Sequence, residues 1–565
     1  MPILMKKFLS KHSRLLLTLV FGISVFIFWR MRYPFALTFQ EQLQLFLFDN
    51  DYFLERIVEP GGLARYVAEF LVQFYNSVTM GAVIIAILMM LLQRLTWRLM
   101  RCEEHYCLSF LPAILLWYAM GDESVMLTYT VALVMAMACA WTLMAAFPKK
   151  DNLRHQIIAK SIALFILIPI IYWIIGPMVL LVALCVMPVS AIWALAVMLI
   201  SAHFVPFPLS RVMIGISYYR FPETMPYILM VIPALIWILS MSIRRIPQQK
   251  TWVSYCEALA LAALIGCPEL GFDSKKYELL EYDYLVRIKD WEGIIAKAEH
   301  QTPDLPMSVS ATNLALAMTN QLGERAFDFY QRTSEGLLPK FERNFATNQL
   351  TGEIYFFLGL INTAQRFAFE AMEAIPNYNK SARVIKRLAE TNLINGEYEV
   401  ARKYLQMLEK TIFYRPWAKR TMAMLGDEKQ IDSHPLYGTL RQYRLKEDFL
   451  FSEDELDKIC GQLFMHNQKN QMAVQYLVMA PLLDRDIPRF MSYVQVVQNS
   501  ISYNPRAVQE AIAFAFLQKH QQPPQGLVSQ QTLQRLNDFG RIYSTNNSSP
   551  ELEIFRNTAW YYLVK

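Results

Sequence analysis

The sequence predicts an all-α protein in which a polytopic helical membrane domain is followed by an α-solenoid of paired helices. Two observations carry this prediction. Up to about residue 270 the 565-residue chain is a series of long apolar runs, and beyond it charged or polar residues occur every few positions. In this second part apolar residues recur at three- and four-residue spacing, which is the period of a helix, and strand-like alternation is absent. We expect a membrane domain over residues 1–270, helical repeats over 271–430, and further repeats or a cap over 431–565.

The net charge and the spacing of the cysteines indicate which partners and metal sites to expect. The formal net charge is +6, and much of the basic excess flanks apolar runs, where it orients membrane segments and needs no nucleic acid. The seven cysteines form no CxxC pair. Cys102, His105 and Cys107 lie close together but fit no common zinc spacing, so no metal site is predicted there. We therefore expect a membrane protein with no nucleic-acid partner.

Basic residues orient the first two predicted spans. Lysines and arginines between residues 6 and 14 precede the apolar run 15–29, which predicts a first span with its N-terminus in the cytoplasm. The second span, at about 78–92, is followed by three arginines between residues 94 and 101, which is again a cytoplasmic signal. The loop 33–76 between these spans is therefore predicted to be external.

Further apolar runs bring the predicted total to eight or nine spans. They lie at about 108–120, 125–147, 161–175, 178–187, 190–204 and 227–242. The run 178–187 is shorter than the ~20 residues that a full span needs, so it either crosses as a short span or joins its neighbour in one kinked helix. The turn Asp122-Glu123 is predicted to be a solvated hairpin tip.

The run Trp252–Leu270 decides the side on which the second half of the chain lies. It is apolar enough to cross the membrane once more, although Glu257 at the centre of a span would cost about 2.5–3.5 kcal/mol. If this run spans, the C-terminal half is external. We adopt this arrangement as the prediction.

Two segments of the second half are similar to each other and read as helix pairs. One is SARVIKRLAETNLINGEYEVARKYLQMLEKT, and the other is IYFFLGLINTAQRFAFEAMEAIPNYN. Both match the tetratricopeptide pattern of small, aromatic and proline positions, through Leu388, Gly396, Tyr398, Ala401 and Leu405 in the first and Leu358, Gly359, Phe367, Ala368, Ala371 and Pro376 in the second. Solenoids of this kind typically bind a protein or peptide on a concave face. We therefore expect a protein partner on this solenoid.

Longer strings of the chain resemble a known family. They are DNDYFLERIVEPGGLARYVAEFLVQFY, SYYRFPE, KKYELLEYDYLVRIKDWEGII and INTAQRFAFEAMEAIPNY. They resemble an uncharacterised family of Bacteroidetes integral membrane proteins that combines a domain of unknown function with a tetratricopeptide-like C-terminal region. The resemblance implies a multi-pass protein of a Gram-negative inner membrane, in contact with membrane lipid. It implies no activity.

The architecture is also similar to that of the C-fold membrane glycosyltransferases, which carry an acidic motif in their first external loop. By this resemblance, Asp49 or Asp51 would deprotonate an acceptor or hold a divalent metal. Arg65, Arg211 and Arg220 would bind the phosphates of a lipid-linked donor, because a guanidinium group matches phosphate oxygens. A simpler interpretation is that the two aspartates cap a short surface helix that begins there.

The sequence leaves two functions open. The first is a binding or assembly protein of envelope biogenesis that is anchored in the inner membrane, with its N-terminus in the cytoplasm and its C-terminal domain in the periplasm. The second is a C-fold-type transferase that uses a lipid-linked glycosyl donor, with the acidic loop as its active site. A divalent metal would be a cofactor in the second case alone. Whether the protein is an enzyme stays open at this point.

Overall fold

The computed structural model describes residues 2–102, 105–147, 153–221, 224–242, 264–376, 379–445 and 455–565. In the helices that begin at residues 2 and 153, the side chains are described from residues 13 and 157 onward. Within these ranges extended pairing is limited to an isolated antiparallel bridge between Val125 and Tyr219, and the rest of the regular structure is helical. The all-α prediction is therefore confirmed for the described part of the chain. Residues 243–263, which contain most of the predicted ninth span, lie outside it.

The chain divides into two compact units. Unit 1 comprises Met1–Tyr277 together with two short later segments, Pro376–Ser381 and Lys410–Phe413. Unit 2 comprises the remainder, Glu278–Ile375, Ala382–Glu409 and Tyr414–Lys565. The predicted domain borders at residues 270 and 430 stay predictions, and the two later segments of unit 1 have no counterpart in the sequence analysis.

Twelve helices of the described residues lie wholly in unit 1, and a thirteenth begins there. They are α1 Pro2–Ile27, α2 Pro34–Gln42, α3 Asn50–Ile57, α4 Gly62–Val72, α5 Val78–Met100, α6 Leu111–Ala119, α7 Leu127–Ala146, α8 Leu153–Ile175, α9 Val179–Val186, α10 Ser190–Ser201, α11 Leu209–Ile214, α12 Ile228–Ser242 and α13 Ser274–Ile288. Helix α1 packs against α5, and α5 packs against α7. Trp29, Trp117 and Tyr129 are fully buried in the resulting core.

Among the described residues of unit 1, four apolar stretches could cross a membrane by their length and composition. They are Ser13–Arg32, Val78–Met100, Leu127–Ala146 and Ile157–Val186. The predicted spans 161–175 and 178–187 both fall within the last stretch, which a 3₁₀ turn at Gly176–Met178 interrupts. Other predicted spans correspond to apolar helices of 10–17 residues, among them α10 and α12. The total of eight or nine crossings therefore stays a prediction.

The helices of the loop 33–76 rest on the membrane-type helices of the same unit. Helix α4 packs against α7 and α8. The turn before it is held by hydrogen bonds from Gly61 N to Trp173 O, at 2.9 Å, and from Trp173 Nε1 to Ile57 O, at 3.1 Å. Gly61 has φ +81°, and a Cβ there would lie 3.2 Å from Gly176 N. Both the left-handed backbone and the close approach favour glycine at this position.

Unit 2 contains the rest of α13 and a succession of further helices. These are α14 Trp291–His300, α15 Pro306–Met318, α16 Leu322–Arg325, α17 Phe345–Leu358, α18 Ile361–Glu373, α19 Ala382–Asn395, α20 Tyr398–Glu409, α21 Arg415–Ala423, α22 Glu428–Ser433, α23 Tyr437–Tyr443, α24 Leu456–His466, α25 Gln471–Leu483, α26 Ile487–Gln498, α27 Arg506–Gln518, α28 Gln530–Thr545 and α29 Ala559–Val564.

Helices of unit 2 that are adjacent in the chain pack as pairs, notably α17 with α18, α19 with α20, and α24 with α25. In the first pair, Gly352 of α17 faces Phe367 and Ala364 of α18, where a Cβ would make ordinary van der Waals contacts. Helix α25 also contacts α15 and α17, which lie far from it in the chain. Nearly every residue of α15, α17 and α25 is buried. Unit 2 therefore has a central group of enclosed helices, whereas a linear stack would make neighbour contacts alone.

Candidate functional site

The loop 33–76 folds into α2, a segment without helix or strand at residues 43–49, the hairpin of α3 and α4, and a 3₁₀ turn at Gln73–Asn76. Phe46 lies under this hairpin and is 2% exposed. Its ring centroid is 5.4 Å from that of Tyr52, 5.0 Å from that of Tyr66 and 5.6 Å from that of Phe70. Ring contacts at these distances stabilise the packing beyond the burial of apolar area. The aromatic residues of the loop thus fix the backbone that carries its charged side chains.

A buried carboxylate lies at the centre of the α3–α4 hairpin. Glu69 Oε2 accepts hydrogen bonds from Tyr52 Oη at 2.5 Å and from Arg56 Nε at 2.8 Å, and Glu69 Oε1 accepts one from Arg65 Nε at 2.9 Å. Burial alone would raise the pKa of Glu69, but the charges of Arg65 and Arg56 outweigh it and hold the pKa below its ordinary value. Glu69 therefore remains ionised and links both helices.

Arg65, which the sequence analysis assigned to phosphate binding, is part of this internal network. Its side chain is 6% exposed. Besides Glu69, its guanidinium donates to Glu59 Oε2 at 2.7 Å and to Asn379 Oδ1 at 3.1 Å. A guanidinium engaged on three sides by protein groups contributes to the structure of the loop. A phosphate would have to displace these acceptors to reach it.

The two predicted catalytic aspartates line one cleft of unit 1. The cleft has a volume of about 380 Å³ and is lined by Leu45, Leu47, Asp49, Asp51, Tyr52, Glu55, Arg56 and Lys380. Asp51 and Glu55 are four residues apart on α3, so their side chains lie on the same face of the helix, about one turn apart. The cleft thus combines three carboxylates with the cations of Arg56 and Lys380. We call it the acidic cleft.

Asp49 occupies the position before α3 and pairs with a lysine from far along the chain. Lys410 Nζ donates to Asp49 Oδ2 at 2.6 Å, and Phe48 N donates to Lys410 O at 2.8 Å. The hydrogen bond from Lys410 lowers the pKa of Asp49, which makes its carboxylate a weaker base. The carboxylate forms no capping hydrogen bond with α3, although the helix begins at the predicted place. In the described part of the chain Asp51 has no ion pair, so geometry favours Asp51 over Asp49 as a base.

Arg211 and Arg220 do not line the acidic cleft. Arg211 lies on α11. Arg220 is buried beside the turn at residues 122–124, and its backbone N donates to Ser124 O at 2.8 Å. Burial lowers the pKa of Arg220 to about 10, although the carboxylates of Glu123 and Asp122 act in the opposite direction. The catalytic and phosphate-binding roles assigned from the sequence stay predictions.

The turn Asp122-Glu123 is not the solvated tip that the sequence predicts. Asp122 Oδ2 accepts a hydrogen bond from Tyr219 Oη at 2.6 Å. Glu123, whose side chain is 14% exposed, forms an ion pair with Lys276 at 2.5 Å. The physical reason is long-range pairing, because Tyr219 and Lys276 come from segments about one hundred residues or more further along the chain. Within the described ranges, no three acidic, histidine or cysteine side chains are arranged as metal ligands.

Sequence reasoning missed several charged residues of this region. Glu55 could have been found, because a carboxylate four residues after Asp51 is a helical spacing. Glu69 could not be distinguished from a surface glutamate without its partners. Lys380 and Lys410 lie in turns of the second half of the chain, and no local pattern connects them to the loop 33–76.

Unit 2 offers a different kind of candidate site on its outer helices. Asn362, Arg366, Phe369 and Glu373 are exposed on α18, at a spacing of three or four residues. Phe369 is 44% exposed and lies between charged neighbours on this helix face. We call these four residues the α18 surface. An apolar residue surrounded by polar ones is the usual arrangement of a protein-binding anchor.

Comparison with known proteins identifies the family. A family model described as a family of unknown function, DUF6057, matches residues 10–565. A search of curated proteins and a search of solved structures each gave no significant match. The match covers nearly the whole chain, including the acidic cleft and the α18 surface, and confirms the predicted membership of a family of unknown function. The chain therefore belongs to the DUF6057 family.

Proposed function

We propose that this protein is a membrane-anchored binding and assembly protein of the bacterial envelope, whose unit 2 docks a protein partner. The observation that carries the proposal is the α18 surface, where Phe369 is exposed among charged neighbours. The helix pairs of unit 2 and the matching positions in the sequence support a tetratricopeptide-like origin for this region. Domains of this type typically bind proteins.

The location that we propose is the inner membrane of a Gram-negative cell, with Bacteroidetes as the source. The N-terminus is cytoplasmic and residues 271–565 are periplasmic. Contacts within unit 1 support this topology. Lys410 pairs with Asp49, and Asn379 accepts from Arg65, so these later segments lie on the same side of the membrane as the loop 33–76. An even number of crossings must then separate the two, which favours nine spans over eight.

The test is complementation of a strain that lacks the gene, with survival in detergent as the measure of envelope integrity. Phe369→Glu should abolish complementation at an unchanged protein level, because a charge replaces the apolar anchor. Val496→Glu is the matched control, because Val496 is also an exposed apolar residue of unit 2, 43% exposed on α26. A photo-crosslinking amino acid in place of Phe369 should give one discrete protein adduct, and the same amino acid in place of Val496 should give none.

A transferase is the second candidate, and the acidic cleft favours it. Asp51 and Glu55 would be the groups that accept a proton from an acceptor hydroxyl, with Lys380 as the cation that binds a phosphate of a lipid-linked donor. In this case Asp51→Asn and Glu55→Gln should abolish complementation at normal protein levels, and Phe369→Glu should have no effect. That pattern would overturn the binding proposal.

A further inference from the structure

Unit 1 contains an apolar groove that is separate from the acidic cleft. The groove has a volume of about 410 Å³, within the range of ~300–1,000 Å³ that is usual for small-molecule sites. It lies between α7, the start of α9, the end of α11 and α12. Among the side chains that line it are Leu184, Ile214 and Trp237, and none of its lining residues carries a charge.

One proline and two tyrosines explain why the walls of this groove are apolar. Pro233 interrupts α12 and has no N–H to donate to Leu229 O, so that carbonyl needs another donor. Tyr129 Oη supplies it at 2.7 Å. Tyr218 Oη donates in the same way to Ile175 O, next to the break between α8 and α9. Because both hydroxyls are bonded to the backbone, the groove presents their rings and aliphatic side chains to an occupant.

The surroundings of the groove indicate the chemistry of the occupant. Helix α7 and the stretch Ile157–Val186, which contribute to its walls, are among the four stretches that could cross a membrane. On α12, the groove-lining Met230 is 43% exposed and its neighbour Val231 is 51% exposed. An open apolar groove between membrane-type helices faces hydrocarbon, which fills it better than water does.

A cation lies three residues before a groove-lining residue, although it does not line the groove itself. Arg211 and Ile214 are three residues apart on α11, so the arginine lies one turn from a groove-lining residue. Guanidinium groups attract phosphate strongly. We propose that the groove binds one acyl chain of a membrane phospholipid, with the phosphate at the Arg211 end. This inference goes beyond the proposed function and does not depend on it.

Photo-crosslinking in proteoliposomes tests this proposal. The purified full chain is reconstituted in vesicles of phosphatidylethanolamine and phosphatidylglycerol, with a trace of phosphatidylglycerol that carries a diazirine near the end of one acyl chain. After illumination, mass spectrometry locates the lipid adducts. Because the diazirine is near the end of the acyl chain that is opposite to the phosphate, we expect adducts to concentrate on groove residues outside α11, such as Leu184 and Trp237. Adducts that are no more frequent there than on Leu195 and Leu199, which are exposed on α10, would overturn the proposal.

A variant that fills the groove provides a second measurement. Ala234 lines the groove, so Ala234→Phe should remove most of the adducts at Leu184 and Trp237. Ala145→Phe is the matched control, because Ala145 is exposed on α7 and does not line the groove, and it should leave the adducts unchanged. Adducts that persist in Ala234→Phe would contradict the proposal. Size-exclusion chromatography would show whether this variant folds. If it does not, the proposal is tested by the unmodified protein alone, through the comparison of adducts in the groove with adducts on α10.

Discussion

At the scale of single residues, Glu69 has the most demanding environment of the loop 33–76. Its side chain is 1% exposed, and its carboxylate accepts from Tyr52, Arg56 and Arg65. Burial would lower the pKa of Arg56, and the Glu69 carboxylate more than offsets this, so the pKa of Arg56 is raised. The Arg56 guanidinium and the Glu69 carboxylate therefore stabilise each other in their charged forms.

Replacing this carboxylate by an amide should destabilise unit 1 strongly. Glu69→Gln keeps the shape of the side chain but leaves two buried guanidinium groups without their shared countercharge. Removing one partner of a buried ion pair typically costs about 3–5 kcal/mol, and we expect a loss near 3 kcal/mol because the amide oxygen still accepts hydrogen bonds. The loss in free energy of unfolding can be measured by thermal unfolding of the detergent-purified protein, with near-ultraviolet circular dichroism as the signal.

Glu55 provides the matched control for that substitution. It pairs with the same Arg56 at 3.2 Å, but its side chain is 71% exposed. Exposed pairs contribute little because water screens them, so Glu55→Gln should change the free energy of unfolding by less than about 0.5 kcal/mol. If both substitutions lower the free energy of unfolding by the same amount, the burial of Glu69 does not increase its contribution to stability.

The same residues show what the sequence could predict about the site. The acidic motif at Asp49 and Asp51 predicts a helix start, and α3 begins there, although the Asp49 side chain forms no capping hydrogen bond. Arg65 has the right chemistry for a phosphate, but an internal carboxylate has the same geometry for a guanidinium group. The two acceptors cannot be distinguished without the position of Glu69, because a one-dimensional pattern does not show which side chain is buried.

At the scale of secondary-structure elements, helix breaks determine how unit 1 is built. The turn before α4 meets the 3₁₀ turn Gly176–Met178, and a Cβ on Gly61 would make a tight contact with Gly176 N. The sequence predicts these breaks, because Gly and Pro occur at both places. It leaves open whether 161–175 and 178–187 are two crossings or one kinked helix, since periodicity does not report the angle at a break.

Two glycines should respond to alanine in opposite directions. Gly61→Ala places a Cβ on a left-handed backbone and against Gly176 N, and should destabilise the α3–α4 hairpin by about 1–2 kcal/mol. Gly352 lies inside α17, and a Cβ there would meet Phe367 Cβ at 3.5 Å, an ordinary contact. Gly352→Ala should therefore stabilise the α17–α18 pair by about 0.5–1 kcal/mol. Hydrogen exchange of peptides from each region measures the two local free energies, and a loss at Gly352 would contradict the packing described here.

At the scale of the whole molecule, helical periodicity predicted an all-helical structure. The match over residues 10–565 confirmed that the chain belongs to a family of unknown function. Periodicity is a local signal, and it could not indicate that Lys380 would line a cleft with Asp51 or that α25 would pack between α15 and α17. Such contacts depend on the path of the entire chain.

The topology prediction belongs to this scale. A periplasm-dependent phosphatase fused after Lys565 should be active, because the pairing of Asp49 with Lys410 requires both to lie on one side of the membrane. A truncated fusion after Asn76 should also be active, and one after Arg101 should be inactive. If the fusion after Lys565 is inactive while the other two behave as expected, the nine-span topology is wrong.

The same pairing has a consequence for the order of events during synthesis. Asp49 and Lys410 are 361 residues apart in the chain, and Arg65 and Asn379 are 314 residues apart. At a translation rate of about 5–20 residues per second, roughly 18–72 s pass between the appearance of Asp49 and that of Lys410. During this interval the early helices are already made, and the partners that complete the loop do not yet exist. A chain released after residue 277 would keep every predicted membrane segment and would still lack two of the contacts that hold its first loop.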